Sequence, residues 1–314
     1  MALAHSELQN FERVAHLWYD DGNVILIAGD RGFRVHRGVL MQRSPGFREL
    51  FLPLSPNYCS TGACPMLRLP DDPLHLDFAL SALYDRFFFG DLDMHHKIPE
   101  VASGIISLAH KYDIQVLHKE AIHRLSEAYP RSFERFNAMS PFQLDPFSAD
   151  DHASLLSVIN AARQLKTSEL NTFLPIAFYL CCQLDAIHLV QGVVRSDCSR
   201  ECLSLDDLRR CVAGRMNLMQ ANSAATLCLR PSAESLDPCC PMPDSCIESL
   251  VALAGDALQE DIFASCDALT NIDRWIEEKG EERGLCWVCI NYMKQRHEEA
   301  RREIWDELPK IFEL

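Results

Sequence analysis

The stretch that decides the fold is Asp21–Phe47, DGNVILIAGDRGFRVHRGVLMQRSPGF. Within Asn23–Ala28, the residues Val24, Ile25, Leu26 and Ile27 form an unbroken apolar run. Such a run suits a strand buried on both faces. Gly29, Asp30 and Gly32 supply turn chemistry. Phe33 and Val35 then alternate with Arg34 and His36, the two-residue period of a strand with one buried face. These features predict a hairpin. Helical spacing follows at once, with Val39 and Leu40, a break at Ser44-Pro45, and Phe47, Leu50 and Phe51 at i, i+3 and i+4. Pro45 fits the first turn of a new helix.

Outward from this stretch, Leu52–Pro65 is rich in Pro, Ser, Asn and Gly and reads as an exposed loop. Met66–Leu69 reads as a short strand ended by Pro70. Leu76, Ala79, Leu80 and Leu83 define an amphipathic helix. A short Phe87–Phe89 element precedes two further helices, Val101–Tyr112 and Val116–Leu125, divided at Asp113. The predicted order is strand, strand, helix, helix, strand, helix, short element, helix, helix.

That order, and the residues in it, resemble the BTB/POZ domain. The matching positions are Asp21 before an apolar strand (Val24–Leu26), Phe33 and His36 on the second strand, Val39-Leu40, and Ser44-x-x-Phe47. Pro70-Asp-Asp-Pro73 and Leu108-Ala-His-Lys-Tyr112 also resemble the family. The opening Trp18-Tyr-Asp-Asp-Gly-Asn23 is similar to the variant common in mushroom-forming (basidiomycete) fungi. In that variant a helical segment follows, and Leu205–Met216 resembles it. The resemblance implies an α+β fold, a small sheet flanked by helices, followed by an all-α C-terminal region. It also implies a protein–protein interaction adaptor, not an enzyme, acting by homodimerisation or by recruitment to a cullin-type ubiquitin ligase scaffold. His36 is expected to close the second strand and hold the start of the first helix.

Composition fits a folded, intracellular protein. The 314 residues suffice for two or three domains. The net charge of −15 disfavours direct contact with nucleic acid or anionic membranes. The basic run Lys294–Arg302 is interrupted by Glu298 and Glu299. Glu298 and Arg302 have the spacing of an intrahelical ion pair on a solvated face. Met1–Tyr19 lacks the pattern of a signal peptide. The densest apolar stretch, Phe173–Val194, contains Gln183, Asp185, His188 and Gln191 and reads as two buried helices, not a membrane span. A cytoplasmic or nuclear location is expected. The expected organisation is a lead segment (1–19), a BTB/POZ domain (20–129), a linker (130–152), a helical region (153–222) and a Cys-rich helical region (223–314). In the helical region, Leu155, Val158, Ile159 and Ala162 make one stripe. Ser204-x-x-Asp207 reads as a capping box opening a helix with Leu205, Leu208, Val212, Met216 and Met219 on its apolar face.

Twelve of the fourteen cysteines lie after residue 180. Without a secretory signal a disulfide framework is disfavoured. Cys286-Trp-Val-Cys289 is a C-x-x-C motif, and Cys239, Cys240 and Cys246 precede it among prolines. Two close pairs separated by a long insertion are the usual sequence form of a four-thiolate zinc site. The candidate ligands are Cys240, Cys246, Cys286 and Cys289, with Cys239 as the substitute for Cys240. Such a structural zinc site would fasten the last helix to those before it. Buried free thiols are the competing reading, and a thiol- or zinc-dependent enzyme a more distant one. Cys198 and Cys202 can share a helix face, while Cys181 and Cys182 read as core.

Several other residues invite bland readings. His95-His96, near Asp91 and Asp93, reads as a solvated turn. His297 falls on the inner stripe of the last helix with Met293, Ala300 and Ile304 and reads as a satisfied core histidine. Asp71-Asp72, Asp150-Asp151 and Asp206-Asp207 read as turn and helix-start residues. No nucleotide-binding or nucleophile-elbow motif is present, and neither is a DNA-binding finger. A regulator of transcription would therefore need to be recruited by partners.

Overall fold

A computed structural model describes residues 11–52, 64–90, 98–139, 152–195 and 197–314, with backbone alone for 152–154. It is a mixed α+β fold in two compact units. One comprises Met1–Tyr129, Leu144–Asn171 and Val194–Glu201, and the other comprises Pro130–Gln143, Thr172–Val193 and Cys202–Leu314. His95-His96, Asp150-Asp151 and most of the Leu52–Pro65 loop lie outside the described residues.

The first unit is built on the expected hairpin. Strands β2 (Val24–Ala28) and β3 (Arg31–Val35) pair antiparallel, with Val24 opposite Val35 and Ala28 opposite Arg31. The two-residue loop between them starts at Gly29, whose φ of +55° suits a residue without a side chain. Val24, Leu26, Ile27, Phe33 and Val35 have no exposed surface. This agrees with the apolar run read as doubly buried and the alternation that follows it. Strand β4 (Met66–Leu69) lies parallel to β2 on its other side. Strand β1 (Glu12–Trp18) pairs parallel with β3, giving the order β1-β3-β2-β4. β1 falls in the segment read as a lead. Most of its residues are exposed, so it carries no period-two pattern by which to be recognised.

Helices α1 (Arg37–Arg43) and α2 (Pro45–Phe51) break at Ser44, as its proline neighbour predicts. The Ser44 hydroxyl accepts from the Phe47 N–H at 2.9 Å and donates to the Tyr112 carbonyl. The Phe47 ring stacks on Tyr112 at 4.2 Å. Gly46 is required there, because a Cβ would sit 2.7 Å from the Tyr112 Cα. The Ser-Pro-Gly-Phe motif thus docks the helix pair on the end of a later helix. Helices α3 (Pro73–Tyr84), α4 (Ile98–Lys111) and α5 (Gln115–Ala128) follow. Asp72 caps α3 by accepting from the Leu74 and His75 N–H groups, and Asp113, at φ +51°, divides α4 from α5. The Phe87–Phe89 element is a turn.

Helix α6 (Phe133–Ala138) belongs to the second unit and lies within the segment read as a linker. Helices α7 (His152–Leu165) and α8 (Ser168–Asn171) return to the first unit. Leu155, Val158, Ile159 and Ala162 of α7 are all buried, as their stripe predicts.

The second unit is helical: α9 (Leu174–Cys181), α10 (Ala186–Gln191), α11 (Leu205–Ala225), α12 (Pro243–Gln259), α13 (Asp273–Arg283) and α14 (Trp287–Ile311). Every residue of α9 except Pro175 is buried, but α10 exposes Ile187 and Val190, so only one of the two helices read as buried is so. Ser204 caps α11, its hydroxyl accepting from the Asp207 N–H and donating to the Asp207 carboxylate.

The face of α11 that points inward is not the one its apolar residues suggest. Leu205, Val212, Met216 and Met219 are exposed, whereas Cys211, Gly214, Leu218, Asn222 and Ala225 are buried. Tertiary partners decide this. The Phe312 ring approaches Gly214 so closely that a Cβ there would lie 2.3 Å from it, and Asn222 donates to the Ile262 carbonyl at 2.7 Å. In α14, Glu298 and Arg302 are paired at 3.5 Å, as expected. Their neighbour Arg301 departs from the solvated reading and is fully buried. Its guanidinium donates to the Leu269 carbonyl and to Asn137. No helix among the described residues is long and apolar enough to cross a membrane.

Candidate metal centre

The sulfur atoms of Cys240, Cys246, Cys286 and Cys289 lie within 4.8 Å of one another. Four sulfurs around tetrahedral zinc, each about 2.3 Å from the ion, stand about 3.8 Å apart. Cys240 and Cys286 are already 3.7 Å apart. Closing the rest of the cluster to that spacing takes side-chain shifts on the order of 1 Å.

Three local structures bring the four together. Cys240 sits in a turn whose N–H bonds the Asp237 carbonyl at 2.9 Å, while the Asp237 side chain accepts from the Cys239 N–H. Pro243 opens α12, and Cys246 lies in that helix's first turn, its N–H bonded to the Met242 carbonyl. Cys286 is the N-cap of α14, and Cys289 follows three residues on, in the first turn. A C-x-x-C at a helix start presents both sulfurs to one point. The partial positive charge of the helix N-terminus favours their thiolate forms.

The clustered thiols shift one another's acidity in opposite directions. Burial and the neighbouring thiols of Cys240 and Cys286 push Cys246 up. Burial pushes Cys289 well above the ordinary thiol range, against an N–H from Asp237. Burial also acts on Cys286, but the Cys289 N–H and the thiols of Cys289, Cys246 and Cys240 outweigh it and hold Cys286 below that range. Cys286 is thus the more readily ionised sulfur, while Cys246 and Cys289 resist ionising beside it. A cation at the centre removes that conflict. All four donors are sulfur, and Cys246 and Cys289 have no exposed surface. Four such donors would fill the coordination of a tetrahedral ion.

The cluster borders a core of Leu229, Leu250, Leu253, Ile276, Ile290 and Met293, drawn from α12, α13, α14 and the segment before α12. Of the alternatives read from the sequence, Cys239 is exposed and stands outside the group. Cys198 and Cys202 are exposed, while Cys181 and Cys182 are buried, as core thiols should be. Among the described residues no cysteine is paired in a disulfide. The spacing pattern found all four clustered residues. It gave no sign of the Asp237 N–H, a contact made by backbone and so without a sequence signature.

The remaining candidates have structural roles. His36 follows β3 and caps α1 by position only. Its ring contacts Asp21 at 3.1 Å and the Tyr84 hydroxyl at 3.1 Å, not the first N–H groups of α1. Asp71 accepts from Lys111 and Tyr112. His297 is buried as expected but is not satisfied, since its Nδ1 has no hydrogen-bond partner among the described residues. No protein-family model matches the chain, and no curated protein matches it.

Proposed function

We propose that this protein is a non-enzymatic, protein-binding adaptor whose first unit acts as a BTB/POZ-type module. One observation carries the reading. The order β2, β3, α1, α2, β4, α3, turn, α4, α5 reproduces element for element the order on which the resemblance rests. The Ser44–Phe47 motif supports it further, because it performs a defined task in that arrangement, seating α1 and α2 against Tyr112. The partners are a second copy of the chain or a cullin-type scaffold. Sedimentation of the purified protein, with calorimetric titration against a cullin N-terminal domain, tests this. A protein that stays monomeric at micromolar concentration and ignores the cullin counts against the reading.

The convergence of Cys240, Cys246, Cys286 and Cys289 favours a second assignment in the other unit, a structural zinc ion. Zinc would cross-link the turn before α12, α12 itself and the start of α14, supplying cohesion and no chemistry. Metal analysis of protein purified without chelator is expected to find about one zinc per chain. Cobalt substitution is expected to give the spectrum of a tetrahedral thiolate site. Metal-free protein with four freely alkylated thiols and an unchanged melting curve would return the cluster to ordinary core packing.

A further inference from the structure

A groove of about 510 Å3 runs between β1 and α3 in the first unit. Its walls carry the rings of Tyr19, Phe78, Tyr84 and Phe88, with the carboxylates of Asp77 and Asp85 among them. Tyr19 and Tyr84 are stacked at 4.8 Å, which makes one continuous aromatic wall. The Tyr84 hydroxyl is committed elsewhere, accepting from the His36 N–H at 2.7 Å, so this residue offers its ring to the groove. Asp77 is partly neutralised by Arg31 at 3.7 Å and lies 2.8 Å from the His16 ring. Asp85 accepts from the Phe87 N–H at 2.8 Å and makes no ion pair with the described residues.

We infer that this groove docks a basic peptide segment of a partner protein, taking an Arg or Lys side chain against the aromatic wall beside Asp85. The face of an aromatic ring attracts a cation and holds its apolar stem, and a nearby carboxylate adds direct charge attraction. The net charge of −15 draws basic segments to the surface in general. An acidic segment is repelled by the same field, and a purely apolar one leaves Asp85 without a counter-charge. This inference deepens the adaptor reading by naming the chemistry of a partner. The tests of dimerisation and cullin binding stand apart from it.

The test is fluorescence anisotropy of the full chain with a short labelled peptide of alternating glycine and arginine, and a matched glycine–glutamate peptide as control. The arginine peptide is expected to bind saturably and the glutamate peptide not at all. Asp85→Asn, which keeps the acceptor for Phe87 but removes the charge, is expected to weaken binding about fivefold. Phe88→Ser is expected to do the same, with circular dichroism confirming the fold. Glu282→Gln, in the other unit, removes the same charge and is expected to change nothing. Equal weakening by Glu282→Gln would reduce the effect to general attraction and overturn the inference, as would the absence of saturable binding. A protein that dimerises, refuses the peptide and becomes monomeric with Phe88→Ser would assign the groove to a second copy and overturn it too.

Discussion

Arg195 Nη2 lies 2.6 Å from Asp72 Oδ2, tying the Val194–Glu201 segment to the residue that caps α3. The same guanidinium reaches Glu201 at 3.3 Å and Asp197 at 3.6 Å, with its side chain only 6% exposed. Removing one member of a buried ionic group strands the others. Arg195→Ala is therefore expected to cost roughly 3–5 kcal/mol in urea unfolding. Burial acts to raise the Asp72 pKa, but His75 and Arg195 outweigh it and hold the carboxyl below its ordinary value. Its contribution is present above the unfolded carboxylate pKa and is lost as pH falls through the lower folded value.

Gly46→Ala tests the docking of α1 and α2. The added Cβ meets Tyr112 backbone, which cannot rotate away. A loss of about 1–3 kcal/mol is expected, measured by denaturant midpoint at constant m-value.

His297, a base and not an acid, gives a pH signature of the same sign. Burial, with Arg301 beside it, lowers its pKa to about 4 from 6.5. The unfolded chain therefore binds the proton more readily. Stability from this group is complete above the unfolded value and falls as pH drops toward 4, by about 3 kcal/mol in all. Because Nδ1 has no partner to lose, His297→Leu is expected to be tolerated at neutral pH and to flatten this slope. Unfolding free energies between those pH values measure it.

The cysteines separate by position. Cys246→Ser and Cys289→Ser are expected to lower the melting temperature by about 10 °C or more and to abolish zinc retention. Cys239→Ser, one residue from a proposed ligand, is expected to change neither. Calorimetry with parallel metal analysis distinguishes these outcomes.

On α11 the two faces predict opposite costs. Leu218→Ala removes a buried side chain and is expected to cost about 2–5 kcal/mol. Met216→Gln and Leu205→Gln alter exposed positions and are expected to stay within about 0.5 kcal/mol. Chemical denaturation of the three variants decides which face is inside.

The hairpin, both helix breaks and β4 were legible because each is written locally, in a two-residue period, a turn glycine or a proline at a helix start. The cysteine cluster was legible for a similar reason, since helix starts present C-x-x-C pairs in a fixed way. What escaped the sequence depends on distant partners. β1 has no period because Leu17 is its one buried residue and most of the others face solvent. Arg301 is buried because Leu269 and Asn137 offer acceptors far along the chain. The α11 orientation is set by the ring of Phe312 against Gly214. In the last two cases the governing contact joins residues that no short window contains.

The parallel pairing of β2 with β4 has a consequence for the order in which the chain can fold. Ile25–Ala28 meets Met66–Leu69 only after the intervening helices have brought the chain around. A hairpin assembles in microseconds, whereas this crossover waits for long-range closure. During synthesis the most oily strand of the molecule therefore stands with one hydrogen-bonding edge open until Leu69 has left the ribosome. That interval is when the nascent chain is most exposed to pairing with a neighbour and most in need of a chaperone.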